Sequence, residues 1–324
     1  MTIDINSIIN HNANINDSVI MDYFQYQYRN CDVYQKYVNL LGVKVNSIDD
    51  IPFLPIQFFK SKKIYSGLTD PETVFTSSGT TGTNTSKHYV ASSTIYQQSY
   101  SAGFSYFFGD VSRYAILALL PSYLEREGSS LITMVQGLIN NSHNPASGFF
   151  LRNHSELFET LLALKRHKTP TILIGVSFAL LDFIDEYKMS FPELIVMETG
   201  GMKGQRKEIT RQELHSIIRL GFGVNTVYSE YGMTELLSQA YSKGNGIYET
   251  PPWVKIIIRD PRNPLRKAPN NTSGGVNIID LANIHSCSFI ETQDLGILHS
   301  NNTFEIIGRF DESDIRGCNL MLES

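Results

Sequence analysis

The residues best suited to chemistry begin with Thr76-Ser77-Ser78-Gly79-Thr80-Thr81-Gly82-Thr83, with Lys87 just beyond. All eight are Ser, Thr or Gly, and Thr73-Val74-Phe75 before them reads as the end of a strand. Glycine allows positive φ and close approach of the backbone to a ligand. Successive N–H groups then line a concave anion site, and the hydroxyls add donors. Such a loop suits a triphosphate. By itself the run fits an exposed turn equally well, and no Gly-Lys-Ser/Thr follows as in the common P-loop. A second candidate is Glu198-Thr199-Gly200-Gly201-Met202-Lys203-Gly204. Its double glycine permits close approach to a nucleotide. Lys203 either meets phosphate or carboxylate or is an ordinary surface lysine. Cys318 is a third, two residues after Arg316 and next to Gly317. A guanidinium favours the thiolate, the nucleophilic form, and the glycine leaves the sulfur accessible. Packing against Leu320 and Leu322 is the alternative.

These residues need a scaffold that gathers loops at one edge. From Asp17 to Leu41, apolar and aromatic residues recur at spacings of three and four, which predicts a helix stopped at Gly42. Ile51-Pro52-Phe53-Leu54-Pro55, continuing to Lys60, contains two prolines and predicts extended backbone leading into the Ser/Thr/Gly loop. Helices are predicted over 91–107, over 131–139 with Ser129 or Ser130 as cap, and over 155–167. Strands are predicted over 114–120, 171–175, 194–197 and 224–228. Thr210-Arg211-Gln212-Glu213 is a capping box opening a helix that Gly221 closes. This alternation predicts an α/β layered fold with a largely parallel sheet. Ligands in such sheets sit beyond the strand ends. Glu125 and Arg126, after the 114–120 strand, then either face the site or form a solvated pair. Short strands over 253–259, 275–280, 287–290, 296–299 and 303–307 predict a β-rich C-terminal subregion of the same domain.

Composition excludes several classes. A formal net charge of -5 leaves no basic footprint for nucleic acid. Met1 to Asp17 is polar and Asn-rich, without the basic and apolar regions of a signal peptide. No apolar run approaches the roughly 20 residues that cross a bilayer, so no membrane span is expected. The three cysteines, Cys31, Cys287 and Cys318, are odd in number and widely spaced, which predicts reduced thiols and a cytoplasmic location. The eight histidines show no metal-ligand spacing, and no structural metal is expected.

The run Ser77-Ser78-Gly79-Thr80-Thr81-Gly82, with Lys87 five residues on, resembles the phosphate loop of adenylate-forming enzymes, the acyl-CoA synthetase and luciferase superfamily. Three further matches follow in family order. Tyr231-Gly232-Met233-Thr234-Glu235 resembles Tyr-Gly-x-Thr-Glu. The resemblance implies that Tyr231 stacks on adenine, Thr234 contacts the α-phosphate and Glu235 holds Mg²⁺. A flat aromatic suits a purine face, and a hard cation needs carboxylate and phosphate oxygens. Thr292-Gln293-Asp294-Leu295-Gly296 resembles Thr-Gly-Asp-x-Gly with Gln293 in place of Gly, and Asp294 would bond the ribose hydroxyls. Gly308-Arg309-Phe310-Asp311 resembles the hinge motif Gly-Arg-x-Asp, with Arg309 also reaching the ribose. The assignment implies ATP and Mg²⁺ as cofactors, an adenylate-forming domain over 1–307 and a hinge-like tail over 308–324.

Superfamily members usually continue into a mobile C-terminal domain carrying a catalytic lysine, and this chain stops at Ser324. That departure, Leu120-Pro121-Ser122-Tyr123-Leu124-Glu125-Arg126, and the late cysteine make the chain similar to the acyl-protein synthetase branch, the LuxE type. There a fatty acid becomes acyl-AMP, then a thioester on a C-terminal cysteine, before hand-over to an acyl-CoA reductase-like or carrier-protein partner. The resemblance implies Cys318 as the acceptor thiol; with the usual lysine missing, Lys87 or Lys203 supplies charge. Three other readings stay open. The acyl group passes to CoA, a carrier protein or a sugar. Alternatively, Gly175-Val176-Ser177-Phe178-Ala179 resembles the nucleophile elbow of α/β-hydrolases, with Ser177 and a later His285 or His299; Ser177 as a helix cap is the plainer explanation. Lastly, the chain binds nucleotide without turnover.

Overall fold

The computed structural model describes residues 5–10, 15–77, 85–120, 128–200, 206–207 and 209–310. The chain divides into two compact units, one of residues 1–74, 78–92 and 252–324, the other of 75–77 and 93–251.

The second unit is built on a sheet whose strands lie in the order Gly148–Phe149, Ala115–Leu119, Thr171–Gly175, Ile195–Glu198, Val227–Tyr231, Ala240–Ser242 and Ile247–Glu249. The first five are parallel. The last two run antiparallel, so the sheet is mixed rather than uniformly parallel. Ala115–Leu119 and Thr171–Gly175 are buried along their whole length, as continuous apolar runs in a covered parallel sheet should be. Helices Ser93–Phe108, Ser130–Ser142, His154–His167, Ser177–Glu186 and Arg211–Phe222 connect the strands. Ser129 caps the second, its hydroxyl accepting from the Ile132 N–H at 3.3 Å. The capping box at Thr210 is formed in both directions.

Gly221 does not close that last helix. It lies inside it, where a Cβ would come within 2.6 Å of Ile184, and the stop is Gly223 at φ 64. Gly221 is thus a packing glycine and Gly223 the left-handed cap. The following strand starts and ends three residues later than the sequence predicts, at Val227–Tyr231. That shift makes Tyr231 the last strand residue and Gly232 the first of the turn.

The first unit holds an antiparallel sheet in the order Asn263–Lys267, Val254–Asp260, Ser273–Asp280, Phe289–Leu298 and Phe304–Arg309. Leu54–Pro55 pairs parallel to Phe289–Leu298. The two strands predicted over 287–290 and 296–299 are one ten-residue strand, irregular at Leu295/Gly296. The helix predicted from 17 to 41 is two, Asp17–Asn30 and Asp32–Leu41, broken by an extended Cys31 (φ -110, ψ 99). Gly42 caps the second in the left-handed region, φ 64. Phe289 centres this core, with Phe24, Tyr34 and Phe53 around it at centroid distances of 6.1–6.3 Å. Buried Gln27 is fully engaged: its amide donates to Asn283 O and Ile284 O, and its oxygen accepts from the Ser288 N–H. Among the described residues no helix is long and apolar enough to cross a membrane.

Candidate active site

In the second unit the parallel register aligns Leu119, Gly175, Glu198 and Ser229 in one row across four strands. Chains leaving a parallel sheet at its carboxyl ends share one edge, where ligands sit. That edge collects Ser177, Thr199-Gly200 and the turn Gly232–Glu235. Gly200 takes φ 73, which a side chain would strain. Its carbonyl accepts from the Ser177 N–H at 2.8 Å, and the Thr199 N–H donates to Gly175 O at 3.1 Å. Ser77 is part-buried just past Thr73–Thr76, whose final N–H donates to Gly128 O at 2.8 Å. Ser78, Gly79, Thr80, Thr81, Gly82 and Thr83, Glu125 and Arg126, Gly201 and Lys203, and Cys318 lie outside the described residues.

Carboxylates dominate this edge. Glu198, 5% exposed, accepts the Gly200 N–H at 2.8 Å and the Ser177 hydroxyl at 3.4 Å on Oε2. Its Oε1 stands 3.6 Å from His215 Nε2. Burial opposes its charge, but the contacts with His215, Ser229 and the Gly200 N–H outweigh burial and hold its pKa below the usual value. Among the described residues Glu230, part-buried by exposure, has no such donors in its favour. Burial, with the Glu198 charge second, pushes its pKa up to about 8. It faces Tyr241 across the antiparallel pair, and burial and then Glu230 raise that phenol's pKa too. Glu235 is buried at 6% exposure, Thr234 is part-buried, and the Tyr231 ring tilts at 59° to Tyr248, 5.8 Å away. A Cβ at Gly232 would lie 2.4 Å from Glu230 Oε1, so a side chain there would push the carboxylate aside.

Ser177 is not a nucleophile elbow. It opens the Ser177–Glu186 helix, is 1% exposed and faces Glu198. An elbow presents its serine at an exposed, strained turn. His299 is engaged by Glu305 at 2.9 Å, and burial lowers the pKa of His285.

In the first unit Asp294 and Arg309 are directly opposite on neighbouring strands, Nε to Oδ1 3.3 Å, with Arg309 exposed and Asp294 mostly buried. The Asp294 N–H donates to Thr292 Oγ1 at 3.1 Å, and the Phe310 N–H to Gln293 O at 2.7 Å. Beneath them lies Arg259, 6% exposed. It donates to Val276 O at 3.0 Å, Asn277 Oδ1 at 2.9 Å and Thr292 O at 2.7 Å, and stands 3.5 Å from the Glu291 carboxylate. Burial lowers its pKa. A Cβ at Gly275 would come within 2.3 Å of its guanidinium. Sequence reasoning missed Arg259; its signal was an arginine ending Ile256-Ile257-Ile258, and the strand register sets it opposite Gly275. Lys87 opens Lys87–Val90, is exposed, and lines a cavity of about 360 Å³ with Lys60, Lys62 and Lys63. Cys31 and Cys287 are buried, and burial raises both thiol pKa values.

Known proteins resemble this chain in sequence and in fold. The family described as acyl-protein synthetase, LuxE, matches residues 6–324. The long-chain-fatty-acid--luciferin-component ligase of Aliivibrio fischeri is 24% identical over 339 residues, covering 95% of this chain and 88% of that protein. A protein of the same description from Photorhabdus luminescens is 35% identical over 71 residues, 21% of this chain and 61% of its own length. Among solved structures, 2-hydroxyisobutyryl-CoA ligase in an open conformation with 2-HIB-AMP and CoA aligns over 91% of this chain and 70% of its own, with TM-score 0.64 and 13% identity. ATP-bound MatB from Rhodopseudomonas palustris aligns over 73% of this chain at TM-score 0.55 and 16% identity. This chain spans about half of that protein, 47%. At these identities the likeness is one of fold, the adenylate-forming α/β fold.

Proposed function

Starting from the fact that this chain belongs to the acyl-protein synthetase family, LuxE, an ATP-dependent adenylate-forming ligase, we propose that it activates a carboxylic acid, of the fatty class, and passes the acyl group to a thiol. The observation that carries this reading is the turn Tyr231–Glu235. It leaves the carboxyl end of a parallel strand with an aromatic ring, a hydroxyl and a buried carboxylate within five residues. We assign Tyr231 to the adenine face, Thr234 to the α-phosphate and Gly200 with Gly201 to close backbone approach. The loop from Ser77 to Thr83 is assigned to the phosphates, with Lys87 and Lys203 as supporting charges. Asp294 and Arg309 are assigned to the ribose hydroxyls; their contact on adjacent strands supports treating them as one unit.

Among the described residues no group of three or more His, Cys, Asp or Glu could hold a metal. A single buried carboxylate suits Mg²⁺, which is usually held by one or two carboxylates together with substrate phosphates. Glu235 would hold it, and the ion would neutralise phosphate charge. In the first step a carboxylate oxygen of the acid bonds to the α-phosphorus, and the bond to the pyrophosphate oxygen breaks. The protein positions and neutralises and needs no nucleophile there. In the second step a thiolate attacks the acyl carbon and AMP leaves.

For the acceptor we favour an external thiol, on CoA or a carrier protein. The fold match over most of the chain to a ligase bound to CoA supports it. The own-thiol route is the second reading. Cys31 and Cys287 are buried with raised pKa values, which leaves Cys318 as its candidate. ATP–pyrophosphate exchange over a panel of carboxylic acids tests the first step. Acid-dependent exchange is expected, and none with any acid would overturn the proposal.

A further inference from the structure

A groove of about 820 Å³ opens in the second unit between helix Arg211–Phe222 and the turn joining Ala240–Ser242 to Ile247–Glu249. Its volume lies in the range of small-molecule sites. Arg211, Arg219 and Lys243 line it against one carboxylate, Glu249, so its fixed charges leave two positive in excess. Asn225 and other amide and hydroxyl side chains line it as well, beside the apolar Val227 and Ile247.

The groove is built, not merely charged. Arg211 is held with its guanidinium 5.7 Å over the Tyr248 ring. Gly246, at φ 69, lets it in: a Cβ there would lie 2.6 Å from Arg211 Nη1. The turn carries two more left-handed residues, Asn245 at φ 58 and Gly244 at φ 151. At the floor sits His215, 8% exposed. Its Nε2 is buried and makes no hydrogen bond among the described residues; it stands 3.6 Å from Glu198 Oε1. Glu198 in turn accepts the Gly200 N–H.

We propose that this groove binds a small organic phosphate, apart from the acyl-adenylate chemistry. Two excess positive charges match a phosphate dianion, guanidinium groups form paired bonds to its oxygens, and the amides and hydroxyls suit a polar body such as a sugar. His215 connects the ligand to the Glu198–Gly200 backbone. The proposal does not rest on the acid or the acceptor, because its readout is binding.

The test is calorimetric titration of the full chain with glucose 6-phosphate, glucose and inorganic phosphate. Both phosphates should bind and glucose should not. Saturating non-hydrolysable ATP analogue should leave the sugar phosphate bound. Arg219→Glu combined with Lys243→Glu, both at exposed positions, should weaken binding at least about tenfold while the chain still unfolds cooperatively. Arg219→Lys combined with Lys243→Arg should retain it. Failure of both phosphates to bind, equal affinity in the charge-reversed variant, or displacement by the nucleotide analogue would each overturn the proposal.

Discussion

Glu198 and Glu230 show how surroundings set the state of identical side chains. Glu198 is given donors and stays ionised; Glu230 is given burial and a neighbouring negative charge. Its folded pKa, about 8, exceeds the ordinary 4.5, so the folded chain keeps a proton that the unfolded chain has released. Its contribution is fully present below about pH 4.5 and is lost as pH rises toward about 8. Glu230→Gln should remove that slope, seen as a stability advantage over wild type that grows with pH in urea titrations. Parallel pH profiles of the two proteins would mean that Glu230 titrates normally. At the proposed chemistry, Glu235→Gln keeps size and removes charge. Acyl-AMP formation should fall at least roughly a hundredfold, while Tyr231→Ala should chiefly raise the KM for ATP, by about 1–3 kcal/mol of lost stacking. Pyrophosphate exchange near wild type in Glu235→Gln would remove it from the metal role.

At the scale of elements, the ends of helix Arg211–Phe222 position both the strand that delivers Tyr231 and the wall of the phosphate groove. Thr210→Ala removes a reciprocal capping box and should cost about 1 kcal/mol. Gly223→Ala should cost more, about 1–3 kcal/mol, because its left-handed φ is joined by a Cβ contact of 2.6 Å with Ser190 Cα. Urea denaturation of both variants ranks them, and Gly223→Ala as the milder change would contradict the strain argument. In the other sheet, Gly275 and Arg259 act as one feature. Gly275→Ala must displace a guanidinium that holds Thr292 O, two residues from Asp294. Nucleotide affinity should weaken in that variant, and an unchanged KM for ATP would detach Arg259 from the strand proposed to meet the ribose.

At the scale of the whole molecule the open choice is where the acyl group goes. Incubation with ATP, Mg²⁺ and labelled fatty acid, followed by denaturation, separates the routes. Transfer to an external thiol predicts no retained label without CoA or a carrier, and turnover when one is supplied. The own-thiol route predicts label that neutral hydroxylamine removes, absent from Cys318→Ser although that variant still exchanges pyrophosphate. Label undiminished in Cys318→Ser excludes this cysteine as the acceptor. Cys31 and Cys287 offer no rival, being buried with raised pKa values.

What the sequence determined by itself was chemistry of local origin. Tyr231, Thr234 and Glu235, whose nucleotide roles are proposed, lie within five residues, the strand–helix alternation is periodic, and the caps at Ser129, Thr210 and Gly42 depend on a few neighbouring residues. Whatever needs a distant partner was decided by tertiary structure. The break at Cys31 is silent in the apolar pattern, because that pattern continues into the second helix, whose Tyr34 packs on the same Phe289 as Phe24 of the first. Gly221 and Gly223 are indistinguishable until Ile184 and Ser190 are brought against them. Ser177 looks reactive in sequence and is buried against Glu198, 21 residues away. Arg259 and the opposite states of Glu198 and Glu230 follow from sheet register and burial, which set which dipoles and charges surround a side chain; neither is a property of the residues on either side of it in the chain.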